Sequence, residues 1–196
     1  MSDLFDFPSL RIEQPRKVLA NKVAYKILDP AGNLLATAEE TTVRGRREQL
    51  RAALPGHALF GDRTFHVTSP AEELLLVMEK LDRREGTRIK RPDGDLIGMV
   101  RPERTNRHYG LFDAADQRIG EIVGEISLRR FTVKDATGRQ AALINKKWAG
   151  VATELFTHSD RYTVEFDDRA EEPLRTIVAI TVILLDLILH ESKDVV

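Results

Sequence analysis

The C-terminal part of this chain contains an apolar run, Thr176–Leu189, which restricts what the chain can fold into. The run carries no Lys or Arg and shows no polar face when it is drawn as a helix. A helix that is apolar on all sides must be buried, either in lipid or inside protein. The run has about 14 residues, whereas a membrane span needs roughly 20. We therefore expect a helix buried inside the protein. A membrane-inserted helix and a β-strand, which the β-branched residues would also suit, remain alternatives.

The residues before this run are typical of a helix N-terminus. Glu171 and Glu172 place negative charge where the helix dipole favours it, and Pro173 suits the first turn. His190 and Lys193 fall near the expected C-terminal end.

Most of the remaining chain repeats one unit: an extended run, a turn signal and a second extended run. The five turn signals are 29–33, 69–73, 91–95, 113–117 and 135–139, and the last four recur every 22 residues. Alternating apolar residues, as in Phe131/Val133 and Tyr162/Val164/Phe166, indicate half-buried strands. The pattern predicts a meander of hairpins that closes into a sheet or barrel.

Length and composition indicate one domain. The chain has 196 residues and neither a linker nor a low-complexity segment, so we expect a single domain over 1–196 with a flexible N-terminal tail over 1–9.

Helix-forming residues over 44–54, followed by Pro55 and Gly56, predict one short surface helix between the first two hairpins.

Charge and cysteine content exclude several classes of function. The formal net charge is −1, which argues against a chain-wide nucleic-acid footprint. Cys is absent, so there is no disulfide framework, no thiolate nucleophile and no S-acylation site. The acidic N-terminus is unlike a secretory signal. We therefore expect a cytoplasmic protein with no transmembrane span.

Three common catalytic motifs are absent from the sequence. None of the five His lies in an HExxH motif, and there is no nucleophile elbow or P-loop. Residues 157–160 combine hydroxyl, imidazole and carboxylate groups, but adjacent strand residues point to opposite faces and would not converge. We interpret this segment as a polar turn and expect a protein that is not an enzyme and needs no cofactor or metal.

Paired basic residues suggest an anion-binding surface. The best candidates are Arg129/Arg130 and Lys146/Lys147, because no acid directly neighbours either pair in sequence. The guanidinium group of Arg can bind two phosphate oxygens at once. The two pairs lie on opposite strands of one predicted hairpin, with at most one residue of each pair facing outward. The alternative is a solvated charged surface without a ligand.

Two further residues stand out. Asp186 is the only charged residue in the apolar run, and a buried acid needs a partner, for which His190 at i+4 is a candidate. Otherwise Asp186 lies at the barrel mouth with a hydrogen-bonded or hydrated carboxylate. Trp148 would either anchor the barrel wall or stack on a ligand.

Three segments together resemble the phospholipid scramblase and LURP-one-related families of the tubby C-terminal-like superfamily. Residues 144–150 (INKKWAG) are similar to the scramblase pattern I-S-K-x-W-T-G, and 155–160 (LFTHSD) are similar to F-T-D-A-D. Residues 183–191 (ILLDLILHE) are similar to the family's apolar helix with one internal Asp. The resemblance spans roughly residues 15–192. It implies a mainly β fold: a closed antiparallel barrel of about 12 strands enclosing a central hydrophobic C-terminal helix.

The sequence departs from this family at the acidic segment proposed to bind calcium. His158, Arg161 and Arg169 replace family residues there, and Ca²⁺ needs six to eight oxygen ligands. We therefore expect no calcium binding. The resemblance implies a non-enzymatic barrel protein whose partner is an anionic phospholipid headgroup or another protein, located in the cytoplasm or at the inner membrane face. The alternative is a membrane-inserted scramblase that uses the C-terminal helix.

Overall fold

The fold is a closed antiparallel barrel wrapped around one helix. The structure is a computed structural model that describes residues 5–14, 23–41, 62–81, 86–103, 107–147 and 161–193, with side chains described up to Leu189. The strands are β1 Ser9–Glu13, β2 Ala24–Leu28, β3 Leu34–Glu40, β4 Arg63–Thr68, β5 Leu74–Lys80, β6 Thr87–Lys90, β7 Leu96–Pro102, β8 His108–Asp113, β9 Arg118–Gly124, β10 Arg130–Asp135, β11 Gln140–Lys147 and β12 Arg161–Phe166. The C-terminal helix is Leu174–Lys193.

Sequential strands pair in order, and β1 closes the barrel because it pairs with both β12 and β2. Closure leaves no unpaired sheet edge that another strand could extend. The predicted mainly β barrel with a central helix is confirmed. Strand β1 has no counterpart among the predicted hairpins. The predicted helix over 44–54 lies outside the described residues.

The five predicted turns are present and share one geometry. In each, the N–H of the first residue donates to the carbonyl of the fifth, and the N–H of the fourth donates to the carbonyl of the first, as in Asp135 to Arg139 (2.8 Å) and Gly138 to Asp135 (3.0 Å). The fourth residue has a positive φ, for example 83° at Gly138. This is the three-residue hairpin loop that ends in a left-handed residue. All five lie at one end of the barrel, called here the tight-turn end; the opposite end is called the loop end.

The C-terminal helix runs from the tight-turn end into the barrel. Its first turn is capped by Glu172, whose carboxylate accepts a hydrogen bond from the N–H of Thr176 at 3.2 Å. Every residue from Ile177 to Leu187 is buried. Gly98 on β7 permits the close approach of the helix, since an added Cβ would lie 2.4 Å from Ile177 Cδ1. The segment predicted as a buried helix is therefore a helix buried by strands. No helix in the described part of the chain is both long and apolar enough to cross a bilayer.

The N-terminal segment differs from the expected flexible tail over 1–9. Phe5 is fully buried and Ser9 already begins β1. The cause is Arg175 on the helix, whose guanidinium donates to the carbonyls of Phe5 (3.1 Å) and Phe7 (2.6 Å) and lies 4.4 Å from the ring centroid of Phe166. These hydrogen bonds hold residues 5–8 against the tight-turn end, where they cover the beginning of the helix.

Candidate functional site

The structure separates the four predicted anion-binding residues. Arg129, Arg130 and Lys147 are exposed, whereas Lys146 is 9% exposed and points into the barrel. Lys146 shares the inward face of β11 with Ile144, as strand alternation requires. It therefore cannot contribute to a surface patch, and the predicted set is reduced to three surface cations.

Lys146 belongs instead to a buried polar cluster around Asp186. The carboxylate of Asp186 is fully buried and accepts hydrogen bonds from the hydroxyls of Tyr25 and Tyr162, each at 2.9 Å. Lys146 Nζ lies 3.8 Å from Asp186 Oδ1 and 5.1 Å from the ring centroid of Tyr162. Buried charge is tolerated when it is paired and hydrogen-bonded, and this carboxylate is both.

The Asp186 cluster fastens the helix to the barrel wall. Tyr25 lies on β2, Tyr162 on β12 and Lys146 on β11, so one carboxylate ties the helix to strands on both sides of β1. The need for a partner was visible in the sequence, but these partners were not, because they lie up to 161 positions away. The side chain of His190, the predicted partner, lies outside the described residues.

A second buried ion pair lies on neighbouring strands of the barrel. Arg63 on β4 binds Glu40 on β3 through two hydrogen bonds, Nε to Oε1 at 2.8 Å and Nη2 to Oε2 at 2.6 Å. The guanidinium carbon of Arg63 is 5.4 Å from the ring centroid of Phe65. Both charged side chains are less than a tenth exposed. This two-pronged geometry is the strongest form of an ion pair, and it fixes the ends of β3 and β4 at the loop end.

Barrel closure assembles a continuous basic surface on the outside. Adjacent strands pair Lys147 with Arg161, and the register from β10 to β2 also places Arg130, Arg11 and Lys26 on this outer side. All five side chains point away from the helix. Directly paired residues such as Lys147 and Arg161 are close enough to act on one phosphate group, whereas Arg130 and Lys26 lie four strands apart and could contact only separate groups of an extended anionic surface. We call these five residues the basic face.

Few acids interrupt the basic face. Glu13 lies within it and contacts Arg11 Nε at 3.0 Å and Arg161 Nε at 3.6 Å. Glu125 Oε1 lies 4.0 Å from Arg130 Nε, and Glu39 on β3 and Glu165 on β12 border the face. The side chains of Arg11 and Arg161 are 42% and 51% exposed, so these ion pairs are solvated and contribute little to stability. The basic face keeps a positive excess that an anionic ligand could neutralise.

The tight-turn end has the opposite charge. The five turns and the segment 167–173 together carry twelve Asp and Glu but only three Arg and no Lys. The side-chain amide of Asn33 donates to Asp29 and holds the pKa of that carboxyl below its ordinary value. The hydroxyl of Thr137 does the same for the pKa of Asp135. These carboxylates are therefore fixed negative charges at neutral pH.

A groove of about 540 Å³ lies at the tight-turn end, between the turn 135–139 and the segment 167–174. Acids line it, but Arg139 and Arg169 line it as well. Within the described residues, no three His, Cys, Asp or Glu side chains are grouped so that they could hold a metal ion. The groove therefore offers mixed charge and no coordination shell.

A model of the Scramblase family matches residues 22–192, which is most of the chain. The chain belongs to the Scramblase family. The predicted resemblance is thereby confirmed. The crystal structure of a protein from Arabidopsis thaliana is similar, with a TM-score of 0.58, 13% sequence identity and 94% of each chain covered. This likeness shows that the two chains share a fold. No curated protein sequence matches the chain.

The residues of the family motifs that the structure describes lie inside the barrel, where their role is structural. Ile144 and Lys146 of the first motif face the interior, and Asp186 of the third forms the buried cluster. Trp148 and residues 155–160 lie outside the described residues. Within this Scramblase-family barrel, the described motif residues thus hold the helix in place, and the exposed cations of the basic face lie beside them on the outside.

Proposed function

We propose that this Scramblase-family protein is a non-enzymatic barrel that binds anionic phospholipid headgroups through its basic face. The observation that carries the proposal is the grouping of five cations on adjacent strands, where Glu13 and Glu125 are the acids in contact with them: Arg130, Lys147, Arg161, Arg11 and Lys26. Arg and Lys are the residues that bind phosphate groups, Arg through two oxygens and Lys as a point charge.

The charge count sets the expected affinity. A basic residue near an anionic membrane contributes about 1 kcal/mol. Five cations less the two acids that contact them, Glu13 and Glu125, therefore give about 3 kcal/mol, which corresponds to a dissociation constant of about 6 mM. Binding of this strength is reversible and weakens with salt, because the Debye length falls from about 10 Å at 0.1 M to about 3 Å at 1 M. Such a protein would be cytoplasmic and peripheral to the inner membrane face, where anionic lipids are concentrated.

The alternative function, a membrane-inserted scramblase that uses the C-terminal helix, is less favoured. It would require the helix to leave twelve strands and would separate Asp186 from Tyr25, Tyr162 and Lys146. A charged side chain at the centre of a bilayer costs at least about 2.5–3.5 kcal/mol, in addition to the lost packing inside the barrel. No observation in the described residues favours that exchange.

Liposome flotation tests the proposal. The native protein should float with vesicles containing phosphatidylserine at low salt, and remain unbound with pure phosphatidylcholine or at high salt. The double variant Arg130→Glu/Lys147→Glu should lose flotation.

The matched control is Arg91→Glu/Arg169→Glu, which makes the same charge change on exposed residues at the tight-turn end. This control should float like the native protein. Absence of flotation by the native protein, or equal loss in both double variants, would contradict headgroup binding by the basic face.

A further inference from the structure

The hairpin tip between β9 and β10 exposes an apolar side chain. Ile126 is 88% exposed, and the other large hydrophobic residue exposed in the described ranges is Leu34, at 38%. Single exposed apolar residues are common on protein surfaces and need no explanation by themselves. Ile126 differs in its setting, because the tip lies at the loop end, next to two Arg residues and the basic face.

The tip is held rigidly by its own hydrogen bonds. The N–H of Glu125 donates to the carbonyl of Arg130 at 2.9 Å, and the N–H of Leu128 donates to the carbonyl of Glu125 at 3.0 Å. Leu128 adopts a positive φ of 54° and packs against the core. The Leu128 side chain thus anchors the turn while the Ile126 side chain projects from it. A ligand that covers Ile126 would have little chain entropy to overcome, since the turn is already ordered.

The charges around the tip are complementary to an anionic surface. Arg129 and Arg130 follow the turn and are both exposed. Glu125 is the acid of the tip, and its Oε1 lies 4.0 Å from Arg130 Nε, at the limit of an ion pair. Lys147 continues the positive charge on β11, one strand away. The tip therefore combines one apolar side chain with exposed cations, and buried apolar area and positive charge both strengthen binding to an anionic lipid surface.

The charges on the rest of the barrel determine how the barrel is oriented relative to an anionic surface. The tight-turn end, which lies opposite this tip, carries twelve acids and three Arg in its turns and the segment 167–173. An anionic surface repels that end and attracts the end at which Arg129, Arg130 and Lys147 lie. An approach with the loop end forward keeps the acidic tight-turn end farthest from the anionic surface.

We infer that the β9–β10 hairpin is the part of the barrel that enters the headgroup layer of an anionic bilayer. Ile126 passes below the phosphates, Arg129 and Arg130 bind them, and the tight-turn end points away from the membrane. The inference rests on the proposed headgroup binding and adds the contact element and the orientation. A lipid surface fits better than a protein pocket, because one isoleucine buries far less area than the 1,200–2,000 Å² typical of stable protein interfaces.

Site-specific labelling tests the inference directly, because the chain contains no Cys. An environment-sensitive dye is attached to Ile126→Cys and, as the control, to Leu34→Cys. Leu34 is also exposed but follows the turn 29–33 at the tight-turn end. Each labelled protein is mixed at low salt with phosphatidylserine-containing vesicles and with pure phosphatidylcholine vesicles. The dye at 126 should shift to the blue and be quenched by a headgroup-level lipid quencher on anionic vesicles only. The dye at 34 should not respond.

An unlabelled variant gives an independent readout. Ile126→Ser should weaken partitioning onto anionic vesicles about fivefold, as expected for partial burial of an isoleucine, whereas Leu34→Ser should leave partitioning unchanged. Both variants should melt like the native protein, because neither side chain is buried in the barrel.

The outcomes separate this inference from the proposed function. If the native protein floats with anionic vesicles but the dye at 126 stays unshifted and Ile126→Ser partitions normally, the hairpin contact is wrong and headgroup binding stands. A response of both dyes would contradict the orientation, and an equal response on phosphatidylcholine would contradict the role of charge. Absence of native flotation would remove both proposals. If the dye at 126 responded to a partner protein but not to any vesicle, the hairpin would be a protein-binding element and the membrane contact would be wrong.

Discussion

The buried Asp186 cluster allows a quantitative test of what holds the helix in the barrel. Asp186→Leu replaces the carboxylate by an apolar side chain, which removes the acceptor shared by Tyr25 and Tyr162, each at 2.9 Å, and the counter-charge 3.8 Å from Lys146. Removing one partner of a buried ion pair typically costs about 3–5 kcal/mol. We expect a loss of this size, which is a large part of a typical stability of about 5–15 kcal/mol.

Lys146→Met should cost less than Asp186→Leu. The carboxylate of Asp186 keeps both tyrosine donors when the lysine is replaced, and the Nζ–Oδ1 distance of 3.8 Å is long for a direct hydrogen bond. The double variant Asp186→Leu/Lys146→Met should be less destabilised than the sum of the two single variants. The expected coupling energy is about 0.5–3 kcal/mol, because in the double variant neither charge is buried without the other.

Urea unfolding followed by circular dichroism gives the free energies for this cycle, provided that the m-value stays constant among the variants. Leu34→Ala is a suitable control, since Leu34 is partly exposed and should change the stability little. Strictly additive losses, or an Asp186→Leu variant within about 1 kcal/mol of the native protein, would refute the argument that this cluster stabilises the helix position.

Three other predictions follow from the fold and the charges. Ile180→Asp places an unpaired charge at a fully buried helix position and should abolish the cooperative unfolding transition in a thermal melt. Thr137→Val should raise the pKa of Asp135 toward its ordinary value in an NMR titration, because the Thr137 hydroxyl is the main cause of its lowering. The native Asp135 contribution to stability should be complete above the unfolded pKa of about 3.9 and be lost as the pH falls through the lower folded value. Millimolar Ca²⁺ should leave the melting temperature unchanged, and a rise reversed by a chelator would contradict this.

The hairpin turns were the part of the fold most readable from the sequence. Each turn contains a side chain that accepts backbone hydrogen bonds, such as Asp135, and four of the five place Gly or Asp at the positive-φ position, such as Gly138. Glu72 in the turn 69–73 is the exception. These are local requirements, so the sequence around each turn was enough. Strand β1 was missed because its five residues lack a turn partner nearby, and it is defined by pairing with β12.

The orientation of Lys146 shows why the candidate site was less predictable. Strand alternation predicted that only one of Lys146 and Lys147 faces outward but not which one, and the structure places Lys146 inside the barrel on the same face as Ile144. The counter-charge that makes burial tolerable is Asp186, 40 positions along the chain. Arg11, Lys26 and Arg161 were missed for a related reason: they join Lys147 only because β1 closes the barrel between β12 and β2.

The charge asymmetry of the barrel has a physical origin in its turn chemistry. Asp113, Asp135 and Asp167 each accept backbone N–H hydrogen bonds within their own turns, so acids accumulate wherever such turns are needed. The β9–β10 hairpin at the opposite end forms a different turn, in which Ser127 rather than an acid accepts a backbone N–H. The end built from repeated turns thereby becomes negative as a consequence of folding, and the headgroup contact proposed above requires this end to point away from an anionic surface.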